Sequence, residues 1–164
     1  MKTKLHPTRN NLPEKTRRAM IDLLNQQLAD AIDAGLQAKQ AHWNVKGPNF
    51  IGLHELFDKV ADELEEFTDE IAERAVQLGG FALGTIQVIS KNPRLAAYPL
   101  DLASGKGHVA ALSSTLAKFG SSARAAIDAA GAAGDADTAD LFTQVSRAVD
   151  KLLWQIEAHA QSED

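Results

Sequence analysis

Two histidines and three carboxylates, His42, His54, Asp58, Asp69 and Glu73, fall within 32 residues of sequence. Imidazole nitrogen mixed with carboxylate oxygen suits a divalent first-row metal such as Fe(II), and Zn(II) competes for the same donors. The chain has no cysteine, which excludes thiolate ligation and a disulfide framework. Around these residues Leu53, Leu56, Phe57, Val60, Leu64, Phe67 and Ile71 recur at helical spacing. Positions 54, 58, 69 and 73 then project at about 0°, 40°, 60° and 100° around one helix. They share a face but not a place on it. Asp58 and Asp69 are roughly 16 Å apart along the axis, too far for one metal with bonds of about 2.0–2.2 Å. The set therefore cannot close within one chain. Two copies of the helix, antiparallel across a twofold axis, would bring His54 and Asp58 of one against Asp69 and Glu73 of the other. His42, near the end of the preceding helix, would join the His54 end.

The elements that must position these residues are helices. Met20, Leu23, Leu24, Leu28, Ile32 and Leu36 mark a first helix from Pro13 to about Trp43–Val45, with Asn10 or Asn11 as its expected cap. Gly47-Pro48 breaks it, and a second helix runs from about Asn49 to Gly79-Gly80. Residues 81–100 form a long connection in which Gly84-Thr85 caps one short helix. A third long helix spans about Asp101 or Ser104 to Ala130, and a fourth, capped within Asp135–Thr138, reaches Ala160. The expected fold is an all-α, ferritin-like four-helix bundle with a short extra helix in the connection between helices two and three. Residues 13–164 make up this domain, and residues 1–12 form a basic, flexible arm.

Composition agrees with one soluble domain. The 164 residues are 45% hydrophobic and 24% charged, with net charge −5, which argues against nucleic-acid affinity over the whole surface. No apolar run suggests a signal peptide or a membrane span, so a cytoplasmic protein is expected.

The stretch QAHWNVKGPNF, followed by LHELFD, DEIAER, QLGG and TADLFTQVSRAVDKLLW, resembles the Dps family, the mini-ferritins named for DNA protection in starved cells. The resemblance covers nearly the whole chain. It implies a ferroxidase centre at a subunit interface, with His42, His54, Asp58, Asp69 and Glu73 at its ligand positions and Trp43 beside it. It further implies a hollow dodecamer that oxidises Fe(II), preferably with hydrogen peroxide, and stores Fe(III) oxide. The Glu-x-x-His spacing of larger ferritins is absent from this chain. Trp43 could quench a stray one-electron oxidant, although a lone tryptophan is more often packing than chemistry.

Other features carry competing accounts. Asp62, Glu65 and Glu66 extend the acidic face of the second helix, either as a solvated surface or as mineral-nucleating groups on an inner wall. Asp135 and Asp140 resemble acids that line the family's iron-entry pores, whereas N-capping accounts for Asp135 without a pore. Lys2, Lys4 and Arg9 precede the first helix and suit sequence-independent contact with DNA phosphates. A nucleoid-associated, DNA-coating protein with weak or no ferroxidase activity is thus the alternative reading. A plain helical protein with an incidental acidic face is the third. His6, His108 and His159 lack partners at ligand spacing and are expected to be structural.

Overall fold

The computed structural model describes residues 4–91 and 93–161, and every regular element among them is a helix. The elements are α1 (Glu14–Asn44), α2 (Phe50–Gln77), α3 (Ile86–Ile89), α4 (Gly105–Ala133) and α5 (Ala136–Glu157). The four long helices form the expected ferritin-like bundle, and α3 lies in the long connection. Packing pairs α1 with α2 and α4 with α5, and the α1–α4 contact joins the two hairpins. The seam is filled by Ile21, Leu24, Leu28, Phe57, Leu64, Ile71, Leu112, Leu116, Phe119, Phe142 and Leu152, all fully buried. Alanines 31, 34, 38 and 41 continue the buried stripe of α1, and their small side chains let α2 approach closely.

Helix ends follow local chemistry. Pro13, rather than Asn10 or Asn11, is the N-cap of α1. Asn10 instead accepts the Leu12 N–H at 2.9 Å in its own turn, so its side chain is already committed. α2 closes at its C-terminus with Gly79 at φ +88°, while the Gly80 N–H donates to the Ala75 carbonyl at 3.0 Å. Ser104 caps α4 by accepting the Gly107 N–H at 3.1 Å. Gly134 ends α4 in the left-handed region at φ +79°, with open space where a Cβ would go. Gly134→Ala is expected to cost about 1 kcal/mol through backbone strain alone, read as a lower unfolding midpoint with unchanged helicity.

The long connection is tied down by polar contacts. The Arg94 guanidinium donates to the buried Asp30 carboxylate, with the Nε contact at 2.9 Å. Gln37 donates to the Ala96 carbonyl at 3.1 Å and accepts from Thr115 Oγ1 at 2.7 Å, linking connection, α1 and α4. At the other end of the bundle residues 4–12 carry no helix. There the His6 N–H donates to the Gly79 carbonyl at 2.7 Å, and Leu5 and Leu12 pack against the core.

Candidate metal centre

The end of α1 and the start of α2 face each other across the Gly47-Pro48 turn, bringing His42 and His54 together. His42 Nδ1–H donates to the His54 carbonyl, and His54 Nδ1–H donates to the His42 carbonyl, each at 2.8 Å. The rings stack with centroids 3.7 Å apart and 22° between planes. This reciprocal pairing fixes both tautomers. With each Nδ1 carrying a proton, both Nε2 lone pairs are left to bind a metal, the usual arrangement behind a histidine ligand. Phe50 packs on the outer side of His54 at 5.0 Å between centroids.

Asp58, one turn beyond His54, completes the local group. Its Oδ1 lies 3.8 Å from His42 Nδ1 and accepts a hydrogen bond from Lys39 Nζ. The Lys39 ammonium holds the Asp58 carboxyl below the usual carboxylate range, with partial burial opposing and the two histidines assisting. The same bond raises the Lys39 ammonium above its ordinary value. Asp69 and Glu73 are exposed farther along α2, about three turns from Asp58. Among the described residues of one chain, no three His, Asp or Glu side chains converge as a metal cluster. One chain presents the two rings beside Asp58 at one end of the α2 face and two acids at the other.

The remaining sequence candidates divide clearly. Asp62, Glu65, Glu66 and Asp69 line an open depression on α2 together with Thr68 and Ala72. Trp43 is 66% exposed and takes no part in this chain's own core. Asp135 is 1% exposed, and its carboxylate accepts from the Thr138 N–H at 3.1 Å and from Arg74 Nη2 at 2.7 Å. That carboxylate is committed to the α5 cap and its ion pair, so the capping account describes it within the chain. Asp140 is exposed on α5. Lys4 and Arg9 are exposed, and Lys2 lies outside the described residues.

A family model described as a ferritin-like domain matches residues 21–163. The chain is 48% identical over 158 residues to the DNA protection during starvation protein of Agrobacterium fabrum, covering 96% of this chain and 98% of that one. The chain belongs to the Dps family.

Solved Dps structures agree with the assignment. DpsA14 from Streptomyces coelicolor superposes with a TM-score of 0.93 at 30% identity, covering 99% of this chain and 96% of that chain. The tetragonal form of Mycobacterium smegmatis Dps gives 0.91 at 32% identity, covering 96% of each chain. Against this Dps frame, the residue that sequence reasoning missed is Lys39. Its signal was its place three residues before His42, which puts it on the same face of α1.

Lys39 must release Asp58 before that carboxylate can take a cation, and its own charge repels one. Lys39→Met is therefore expected to tighten Zn(II) binding by about two- to fivefold, since a half-exposed ion pair contributes little. The Asp58 carboxyl is held low by Lys39, so the ion pair persists through mildly acidic pH and is lost only as pH falls through that lowered value. In Lys39→Met the Asp58 titration midpoint should move upward, as followed by carboxyl NMR shifts.

Proposed function

We propose that this Dps chain is a ferroxidase and iron-storage protein whose catalytic centre lies between two subunits. His42, His54 and Asp58 of one chain and Asp69 and Glu73 of its neighbour bind Fe(II) as substrate, with Zn(II) able to take the same donors. The observation that carries the reading is the reciprocal His42–His54 pairing, which occupies both Nδ1 atoms with backbone carbonyls and so leaves Nε2 of each ring as the free donor, with Asp58 in the same group. A half-site that lacks opposing ligands fits a twofold assembly, and the acids that would complete it lie on the same helix.

Hydrogen peroxide is the proposed oxidant. Two Fe(II) each give one electron, the O–O bond breaks, and two protons from solvent complete two waters. Taking both electrons at one site avoids release of hydroxyl radical. Trp43, beside the centre and exposed, intercepts a stray one-electron oxidant. In a hollow dodecamer Asp62, Glu65 and Glu66 then bind Fe(III) and start mineral on the inner wall. Cation entry uses exposed carboxylates at the start of α5, of which Asp140 is the retained candidate, since a ring of such groups focuses cations.

The relatives' name, DNA protection during starvation protein, supports a protective role near DNA. Residues 1–12 meet phosphate through Lys2, Lys4 and Arg9, ahead of the bundle domain 13–164, with Leu5, His6 and Leu12 seating the segment on the bundle. Arg17 and Arg18 are engaged within the chain, Arg17 with the Leu12 and Leu78 carbonyls and Arg18 with Glu14. Twelve arms on one particle add avidity. No helix among the described residues is long and apolar enough to cross a membrane, and the proposed location is the cytoplasm, in part at the nucleoid.

The test is anaerobic Fe(II) loading followed by a small pulse of peroxide. Rapid oxidation near one peroxide per two irons, with soluble product eluting as a large shell, is expected. Oxidation at the rate of a protein-free control, with precipitation, would leave the DNA-coating alternative.

A further inference from the structure

Away from the metal-ligand face, Tyr98 in the connection meets His108 in the first turn of α4. The Tyr98 hydroxyl lies 2.7 Å from His108 Nδ1, with the two rings nearly parallel at 15°. His108 is 1% exposed, and its Nε2 has no hydrogen-bond partner that meets ordinary geometry. Burial acts most strongly on the ring and keeps it neutral, while the backbone of Leu102 and Asn44 favours the protonated form. The phenol is harder to ionise than usual, its pKa pushed up to about 12 by burial. The ground state is thus a neutral phenol donating to a neutral imidazole. Tyr98 is the only tyrosine in the chain.

A bland account exists, since a buried histidine needs a partner and a tyrosine supplies one. Two observations go further. First, Tyr98 lines a cavity of about 380 Å³ together with Gln37, Arg94, Ser114, Thr115 and Lys118, so small solutes can approach its side chain. Second, His108 contacts the ring of Phe57, with centroids 6.2 Å apart, and Phe57 is the chain neighbour of Asp58. The pair is thus packed against α2, the helix that carries most of the candidate ligands.

We propose that Tyr98 and His108 form a one-electron oxidation site, a sink for radicals generated around the protein. The oxidant is an oxygen- or nitrogen-centred radical, such as the hydroxyl radical that free Fe(II) and peroxide produce. One electron passes from the phenol to that radical, which leaves as its anion. The Tyr98 O–H bond breaks, and its proton moves along the existing hydrogen bond to His108 Nδ1. The products are a neutral tyrosyl radical and an imidazolium, the form that the Leu102 and Asn44 backbone favours. A thiol or ene-diol reductant entering the cavity returns one electron, becoming a radical and releasing its own proton to solvent, and the Tyr98 proton moves back from Nδ1. Without a base in place the phenol would have to lose its electron first, a much costlier cation radical.

The test contains no iron, so its failure and a failure of the ferroxidase reading are separate events. Azidyl radicals made by pulse radiolysis are delivered to the full-length, iron-free protein. Trp43 and Trp154, 66% and 62% exposed, take the first hits. In the wild type the tryptophanyl absorption should decay into a tyrosyl signal, more slowly in deuterium oxide because the proton moves with the electron. Tyr98→Phe should leave only the tryptophanyl decay. His108→Gln keeps a hydrogen-bond acceptor but no base, and should slow tyrosyl formation by about a hundredfold. No tyrosyl signal in the wild type, or a rate indifferent to deuterium oxide, overturns the proposal. So does wild-type kinetics in folded His108→Gln. Absence of the tyrosyl signal or of the isotope effect in the wild type needs no variant, so the proposal can be overturned even if His108→Gln does not fold.

Discussion

Protein-dependent Fe(II) oxidation in His54→Ala/Asp58→Ala is expected to fall by about a hundredfold or more, while the shell still assembles. Removing an outer hydrogen-bond partner of a metal ligand typically costs about 10–100-fold, and these substitutions remove the ligands themselves. Losing His54 also frees the His42 carbonyl of its Nδ1–H partner, so the surviving ring keeps its own bond to the residue 54 carbonyl but loses its stacking partner. The fold should be little affected, because both side chains are only partly buried and their helix is held by Phe57, Val60 and Leu64. Stopped-flow oxidation by peroxide gives the rate, and size-exclusion chromatography reports the shell. A DNA mobility shift at fixed salt should be unchanged, which separates iron chemistry from phosphate contact. Oxidation at the wild-type rate would place the centre elsewhere.

The second large effect concerns stability. Arg74 on α2 reaches across to the start of α5, bonding Asp135 Oδ1 at 2.7 Å and Thr138 Oγ1 at 3.0 Å. Its side chain is 11% exposed and that of Asp135 is 1% exposed, so the pair is buried. Taking away one member leaves a charge without compensation, which typically costs about 3–5 kcal/mol. Arg74→Leu should therefore lower the thermal midpoint by about 10 °C at fixed protein concentration. Asp135→Asn in the Arg74→Leu background should recover more than half of the loss, because an amide still caps α5 and needs no counter-charge. A single-variant loss within about 1 kcal/mol would show that Asp135 finds water or another cation instead.

The helices were legible because periodicity and punctuation agreed. Gly47-Pro48, Gly79-Gly80 and Gly134 each mark a real break, and Thr85, Ser104 and Asp135 stand as the N-caps of α3, α4 and α5. Asn10 misled because an Asx side chain bonds backbone two residues on as readily as it caps a helix, and only the fold decides which. The metal face was legible through arithmetic on one helix, since angular position and axial rise follow from residue number alone. What the arithmetic does not contain is the contact between α1 and α2. Lys39 beside Asp58, and the crossed Nδ1 bonds of His42 and His54, depend on how two helices meet at a turn. His108 was read as structural for want of a partner at ligand spacing. Its partner, Tyr98, comes from an irregular connection with no period to read.

The measurement that bears most directly on a centre shared between subunits is complementation. His54→Ala/Asp58→Ala and Asp69→Ala/Glu73→Ala chains are purified separately, shown to be inactive, then unfolded and reassembled together in equal amounts. In a mixed pair one of the two centres carries all four substitutions, and the other is wholly wild type. Random pairing across a twofold axis makes half of the pairs mixed, each with one intact centre, so about a quarter of wild-type peroxide-driven oxidation should return. If the mixture stays as inactive as its parents while assembling normally, the ligands belong to a single chain and the shared centre is wrong.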